Sequence, residues 1–575
     1  MRHFRPRCMD CRWLLLLGIT AWAPTGEAGL AASLTETNMD NAETQSAALI
    51  ETYVAKYKPL TIAANLAWWD ASISGTDADF QKRKDAENRL VELHSDTKTF
   101  DHIKSLRAGA IGDAVIKRQL DMMYYNFLPY QADPELSKRI VSLEADVEQI
   151  FNTHRSLVGG KETTENEVRK ILTDTKDSNQ AREAWRGYMQ VGQKVNAKLT
   201  ELVKLRNQVA KKLGYANYFT MKLDEQELEE KELFRIFDEL DELTRAPFTA
   251  LKEEIDAMML KRFSLAKADL RPWHTGDLFF QEAPVLGGVN LDEMIQSKDP
   301  VKLSADHYES MGMEVRGILA RSDLYEKEGK SPHAFCTSID RDQDVRVLCN
   351  VKPNANWMDT VHHEIGHAVY DQYIAKDVPF ILHEPSHILT TEGIAMLFGA
   401  ITKNEEFISK IISLPESELA KFTAAGRRSL RAEKLIFSRW TQVMLRFEQA
   451  MYDNPDQDLN KLWWSLKKRY QLLKPPNDMS GSDFGAKLHI VAAPVYYHNY
   501  MLGELFATQL HSHIAKTVIG VDSPHRTAFV GSKQAGQYLR DKVFAPGNLY
   551  RWDDLTRRVT GEPLSAKAFA QQYVH

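Results

Sequence analysis

Apolar residues recur at helical spacing along most of this chain, and that recurrence constrains the fold more than any other feature. After Asp133-Pro134, a cap and first-turn pair, Leu136, Ile140, Leu143, Val147 and Ile150 follow at steps of 4, 3, 4 and 3, and Gly159-Gly160 ends the run. A second stripe holds Val195, Leu199, Leu202, Val209 and Leu213 and stops at Gly214. Similar patterns lie near 228–262, 357–374, 390–412 and 430–452. Such stripes are packing faces. Strand signals are confined to Ala334–Ile339 and Val345–Val351, which read as a hairpin around Arg341–Asp344. A chain of 575 residues, 43% hydrophobic and 26% charged, has an ordinary globular composition and can bury a large core. The expectation is a mainly α protein: one large helical body divided by a cleft, with a small hairpin.

The N-terminus follows a different rule. Arg2, Arg5, Arg7 and Arg12 precede an apolar run, Trp13–Ala23, and small residues follow at Gly26, Ala28, Ala31 and Ala32. That order reads as a secretory signal, and 11 apolar residues are too few to span a bilayer. A signal peptide over 1–28, a loose lead-in over 29–45 and a globular part over 46–575 are expected. The protein would then be exported, to a periplasm or outside the cell, with no stable membrane anchor once the leader is gone. A net charge of -6 without a long basic run excludes nucleic acid as a natural partner. Cys8 and Cys11 fall in the leader, so their CxxC spacing is not a metal site. Cys336 and Cys349 are symmetric about the hairpin turn, and a disulfide between them is expected in an oxidising compartment.

His363-Glu364-Ile365-Gly366-His367 is an HExxH motif. On a helix, positions i and i+4 share a face, so His363 and His367 can bind one zinc ion. Glu364 is turned about 100° around the helix from His363, where it can act as general base towards a metal-activated water. His362 is left for packing or for support of the ligands. Catalytic zinc needs a third protein ligand. A continuation with Gly at 370 and His at 373 is absent, both positions being Tyr. The downstream candidates are His383, Glu384, His387 and Glu392. Pro379 and Pro385 break the chain, and a new helix begins near Leu389-Thr390-Thr391, with Glu392 in its first turn. Glu392 is the first choice and Glu384, in the connecting loop, the second.

The segment His362–Ala400 resembles the angiotensin-converting enzyme family of M2-type peptidases. The doubled histidine, Lys376-Asp377-Val378-Pro379 and Glu392 carry the likeness. So do Leu213-Gly214-Tyr215, His274-Thr275-Gly276-Asp277-Leu278, Ser331-Pro332-His333-Ala334, Trp463-Trp464-Ser465-Leu466, Gly485-Ala486-Lys487-Leu488-His489-Ile490 and Ser532-Lys533-Gln534-Ala535-Gly536. The resemblance spans roughly 200–572. It implies a single helical ellipsoid with a deep central cleft, the hairpin lying beside the zinc helix. It also implies Glu392 as third ligand, with Lys487 and Tyr497 binding the substrate's C-terminal carboxylate. His489 and Tyr500 would stabilise the tetrahedral intermediate, and His333 and Ala334 would hold the substrate backbone. One extra residue between His489 and Tyr497 leaves Tyr496 as an alternative to Tyr497. Gln296 is an ambiguous match for a carboxylate-gripping Gln. Asn499 and Lys467 stand where chloride-activated members have Arg, so chloride dependence is left open, and Met396 replaces a family Asp.

These readings converge on a zinc peptidyl-dipeptidase that removes dipeptides from oligopeptides with a free C-terminus. Two alternatives stand beside it. One is a thimet-type oligopeptidase cutting internal bonds, which would not need the Lys487/Tyr497 anchor. The other is an inactive peptide-binding homologue, against which the intact Glu364 and ligand set argue.

Overall fold

The computed structural model describes residues 28–286 and 289–574, with side chains from residue 41 onward. All but the last residue of the expected leader, 1–28, lie outside them. Helices make up 69% of the structure, with two small antiparallel hairpins. The periodic stripes fold as read. The Asp133 carboxylate accepts the N–H groups of Glu135 and Leu136 at the start of helix Pro134–Thr153, which buries Leu143, Val147 and Phe151. Helix Ser178–Lys212 buries Val195, Leu199, Leu202 and Val209. Gly159-Gly160 does not end the first of these helices, which stops at Thr153 and is followed by a strand. Both glycines have positive φ, 59° and 74°, and form the two-residue turn joining strands Ser156–Val158 and Lys161–Thr163.

The segment 29–45, expected as a loose lead-in, is instead part of a 47-residue helix, Ala28–Ser74. Its Ala, Leu and Glu residues favour helix and no proline interrupts it before Pro59. This helix reaches the hairpin Phe335–Ser338/Val345–Leu348: Trp69 packs with Ile339 and Leu348, and Asn65 Nδ2 donates to the Ser338 and Ile339 carbonyls, both at 3.1 Å. A contiguous apolar core otherwise runs from Ile50 to Tyr573. Among the described residues no helix is long and apolar enough to cross a membrane.

The hairpin's register corrects the expectation that the two cysteines lie opposite each other. Cys336 faces Val347, not Cys349. The turn sets this offset, because the Asp340 carboxylate accepts the N–H groups of Asp342 (2.9 Å) and Asp344 (3.0 Å), and Ile339 N–H closes on Asp344 O. Cys349 lies past the strand end, its N–H donating to Asp323 O.

Candidate active site

The HExxH motif lies in helix Ala355–Gln372, whose first turn is capped by Asn354 Oδ1 accepting Trp357 N–H at 2.8 Å. One helical turn separates His363 from His367, and their ring centroids are 4.9 Å apart. Glu392 comes from the next helix, Ile388–Ile401. One ligand atom from each of the three residues lies within 4.8 Å of the others, with His363 Nε2 and Glu392 Oε2 at 3.8 Å. Two imidazole nitrogens and one carboxylate oxygen are the donor set of a catalytic zinc site with an open position. His367 Nδ1 meets Thr391 Oγ1 at 2.7 Å, which fixes the ring and leaves Nε2 for a metal.

Glycine brings these helices together. A Cβ on Gly366 would sit 2.9 Å from Ala395 Cα, so only glycine lets the motif helix approach the Glu392 helix this closely. A Cβ on Gly393 would lie 2.9 Å from Gly503 O, on helix His498–His513, which carries Tyr500. The bare backbones thus set the spacing of three chemistry-bearing helices.

Of the other downstream candidates Glu384 and His387 have structural partners, while His383 is buried with its Nε2 unpartnered among the described residues. Glu384 pairs with Arg341 of the hairpin turn at 3.1 Å. His387 caps the Glu392 helix: its Nδ1 accepts Leu389 N–H at 3.0 Å, so Nε2 carries the proton and donates to Gln226 O at 2.7 Å. His362 is fully buried next to His363 on the motif helix. His307 Nε2 faces Ala528 O at 2.7 Å and must donate. His307 Nδ1 therefore accepts from His362 Nε2 at 2.8 Å, which leaves His362 Nδ1 to accept from Ser304 Oγ at 3.0 Å. Burial keeps this chain neutral, lowering His307 to about 4 and His362 well below its usual value. Glu364 is buried on the motif helix, and Cys349 feels its charge: burial first, then the Glu364 carboxylate, pushes that thiol well up.

A second cluster forms from three separate segments. Lys487 Nζ donates to Gln281 Oε1 at 2.7 Å, and Tyr497 Oη approaches the same oxygen at 3.4 Å. Lys487 also lies over the rings of Tyr497 (5.1 Å), Phe279 (5.2 Å) and Trp440 (5.3 Å). Burial lowers its pKa to about 7, with the Arg169 charge next, against Asp277, Glu282 and Glu165. Tyr497, rather than Tyr496, therefore stands beside the lysine; the Tyr496 ring packs on Tyr500 at 5.4 Å. His489 lies against Tyr497 (5.2 Å), as does Tyr500 (5.2 Å), and burial holds His489 well below its usual range.

Gln281 carries no motif or periodic signal of its own in the sequence. Gln296, the ambiguous match, is exposed in a turn, its N–H bonded to Asp292 O. The available signal was the block His274–Leu278, which ends three residues before Gln281. Asp277 from that block accepts Gln281 N–H at 2.7 Å, and Phe280 before it takes a positive φ of 53°. Lys467 is fully buried, donates to Phe279 O at 2.8 Å and lies over Trp440, Trp463 and Trp464; burial lowers it to about 7. Asn499 donates to Gln226 Oε1 at 2.6 Å. Met396 lies at the Gly503 contact. His333 and Ala334 lead directly into the strand Phe335–Ser338.

A profile of the family described as "Angiotensin-converting enzyme" (peptidase M2) matches residues 40–255 and 296–574. The chain is similar to the angiotensin-converting enzyme of Theromyzon tessulatum, 20% identical over 95% of this chain and 93% of that protein. It is also similar to that of Haematobia irritans exigua, 22% identical over 90% of each. The enzyme of Oryctolagus cuniculus is 27% identical over 42% of this chain, a match spanning only 19% of that relative.

Proposed function

Because this chain belongs to the angiotensin-converting enzyme (peptidase M2) family and is a peptidase of that type, we propose that it is a zinc peptidyl-dipeptidase removing dipeptides from the free C-termini of oligopeptides. The observation that carries the reading is the convergence of Lys487, Tyr497 and Gln281 on one point. An ammonium, a phenol and an amide, all on or beside buried aromatic surface, suit a carboxylate better than an internal peptide bond. An anchor at a fixed distance from the metal ligands counts residues from the C-terminus, and the family likeness implies two.

His363, His367 and Glu392 would hold the zinc ion, which supplies Lewis acidity and acidifies water. Glu364 takes the proton of the attacking water. His489 and Tyr500 donate to the oxygen on which charge develops. His333 and Ala334, at the start of a short strand, offer extended backbone to the peptide. We also read the enzyme as chloride-independent. Asn499 is neutral and spent on Gln226, and the Lys467 charge is met by three indole faces and a carbonyl. Export completes the reading; the order of residues in the leader supports it.

The test is mass spectrometry of products from N-blocked peptides, as free acids and as amides, with and without a chelator. Hydrogen bonds to charged groups are worth about 1.5–3 kcal/mol, so amidation should slow cleavage about 10- to 150-fold. Release of dipeptides from acids that stops with chelator is expected. Equal internal cleavage of acids and amides would replace this reading with an oligopeptidase, and no cleavage by zinc-loaded protein would leave a peptide-binding homologue.

A further inference from the structure

Between His489 and Tyr500 the chain makes a turn that its own side chains oppose. Val495 takes a φ of +53°. A β-branched residue is strained there, because its Cβ crowds the neighbouring carbonyl. Such strain persists only where the surroundings over-determine it. Here they do so through both polar atoms of Val495. Its N–H donates to Glu448 Oε1 at 2.7 Å, and its carbonyl accepts from Gln226 Nε2 at 2.9 Å. Both partners are buried. The segment's other end is gripped as well: the Arg206 guanidinium donates to Ile490 O (3.2 Å) and Val491 O (2.7 Å).

Gln226 is used at every polar atom of its side chain. Nε2 also donates to Lys222 O at 2.7 Å, while Oε1 accepts from Asn499 Nδ2 at 2.6 Å and from His498 Nε2 at 3.1 Å. Its carbonyl takes the Nε2 proton of His387, the cap of the helix bearing Glu392. One residue therefore ties the Val495 turn, the start of the Tyr500 helix and the start of the Glu392 helix.

We propose that Glu448 and Gln226 are positioning residues for the reaction: by holding the left-handed turn at Val495 they set Tyr497 and Tyr500 against the metal ligands. The inference rests on the reading of those tyrosines as substrate-contacting groups. Burial pushes the Glu448 carboxyl up to about 8, so at neutral pH it accepts the Val495 N–H as a carbonyl-like oxygen does. An amide oxygen can fill that role.

The experiment compares zinc-loaded, full-chain wild type with Glu448→Leu, Glu448→Gln, Val495→Gly and the Glu448→Leu/Val495→Gly double variant, in kcat, KM, zinc content and Tm. Glu448→Leu should keep its zinc and lose about 5- to 150-fold in kcat/KM, the range a strained backbone residue accounts for. Glu448→Gln should stay within about threefold of wild type, since the acceptor is retained. Glycine adopts the turn without strain, so the double variant should recover most of the activity lost in Glu448→Leu while its Tm stays low or falls further. Activity recovering while Tm does not is what a merely structural role does not produce. Unchanged kinetics in Glu448→Leu, or a double variant no more active than Glu448→Leu, would overturn the proposal. Should Glu448→Leu fail to fold, Gln226→Met, alone and with Val495→Gly, asks the same question from the carbonyl side, with the same outcomes. Wild type cleaving acid and amide peptides equally would remove the dipeptidase reading alone, because the glycine rescue is read on any peptide the wild type hydrolyses.

Discussion

Lys487 offers a measurable consequence of burial. Its ammonium lies among Phe279, Trp440 and Tyr497 and its pKa is lowered to about 7, first by burial and then by Arg169. A peptide carboxylate at Lys487 supplies a direct counter-charge and restores the charged form. Binding and protonation are then linked. At pH 8 a group of pKa about 7 is mostly neutral, so a free-acid ligand should take up about 0.9 proton, falling to about 0.1 at pH 6. Affinity should fall about tenfold per pH unit above 7. The sign follows from the lowered pKa, the favourable charge being present below 7 and lost as pH rises through it. His489 is held well below its usual value and stays neutral over this range. The assay is titration calorimetry of N-acetylated dipeptides into zinc-loaded Glu364→Gln enzyme, in buffers of different ionisation enthalpy. Lys487→Met and the C-terminal amide should each abolish the uptake. Uptake of the same size with the amide, or in Lys487→Met, would refute the assignment of the proton to this lysine.

Three further outcomes are expected. Glu392→Gln should lower zinc affinity by more than the roughly 10- to 100-fold that loss of an outer-shell partner costs, measured by competition with a chromophoric chelator; full affinity there, with loss in Glu384→Gln, would move the role to Glu384. Glu364→Gln should retain zinc and fold but lose about 10²- to 10⁴-fold in kcat, and near-normal turnover would end the general-base role. Gly366→Ala must push Ala395 away and should cost about 1–3 kcal/mol, seen as a lower Tm together with weaker zinc retention; an unchanged Tm and metal content would show that the helix contact is not set by this glycine.

Much of this was legible in the chain. The stripe from Leu136 to Ile150 and the stop at Gly214 follow from periodicity and capping, both local, and the HExxH face needs only the pitch of a helix. What could not be read was set by contacts distant in sequence. Sequence alone does not show that Glu392 comes to lie with His363 and His367 while Glu384 is engaged by Arg341 from the hairpin turn. Gln281 lies in a loop without periodicity and meets Lys487 206 residues away. Residue counts make the two cysteines symmetric about the turn, whereas the Asp340 side chain fixes a register that sets Cys336 opposite Val347. The 29–45 segment lacks an apolar stripe, so its helical backbone leaves no periodic signal in the sequence.

The glycine seam has a consequence for how this protein would look in a saturation mutagenesis map. Gly366, Gly393 and Gly503 would each bring an added carbon into atoms of a neighbouring helix, at 2.9 Å, 2.7 Å and 3.3 Å. Substitutions there should score as badly as substitutions of the ligands, although a glycine has no side chain with which to do chemistry. A map of lost activity would therefore draw the catalytic centre larger than it is, with a ring of inert positions around the reactive ones. Zinc retention scored alongside turnover would separate the two: Glu364 variants keep the metal and stop working, whereas seam variants lose both together.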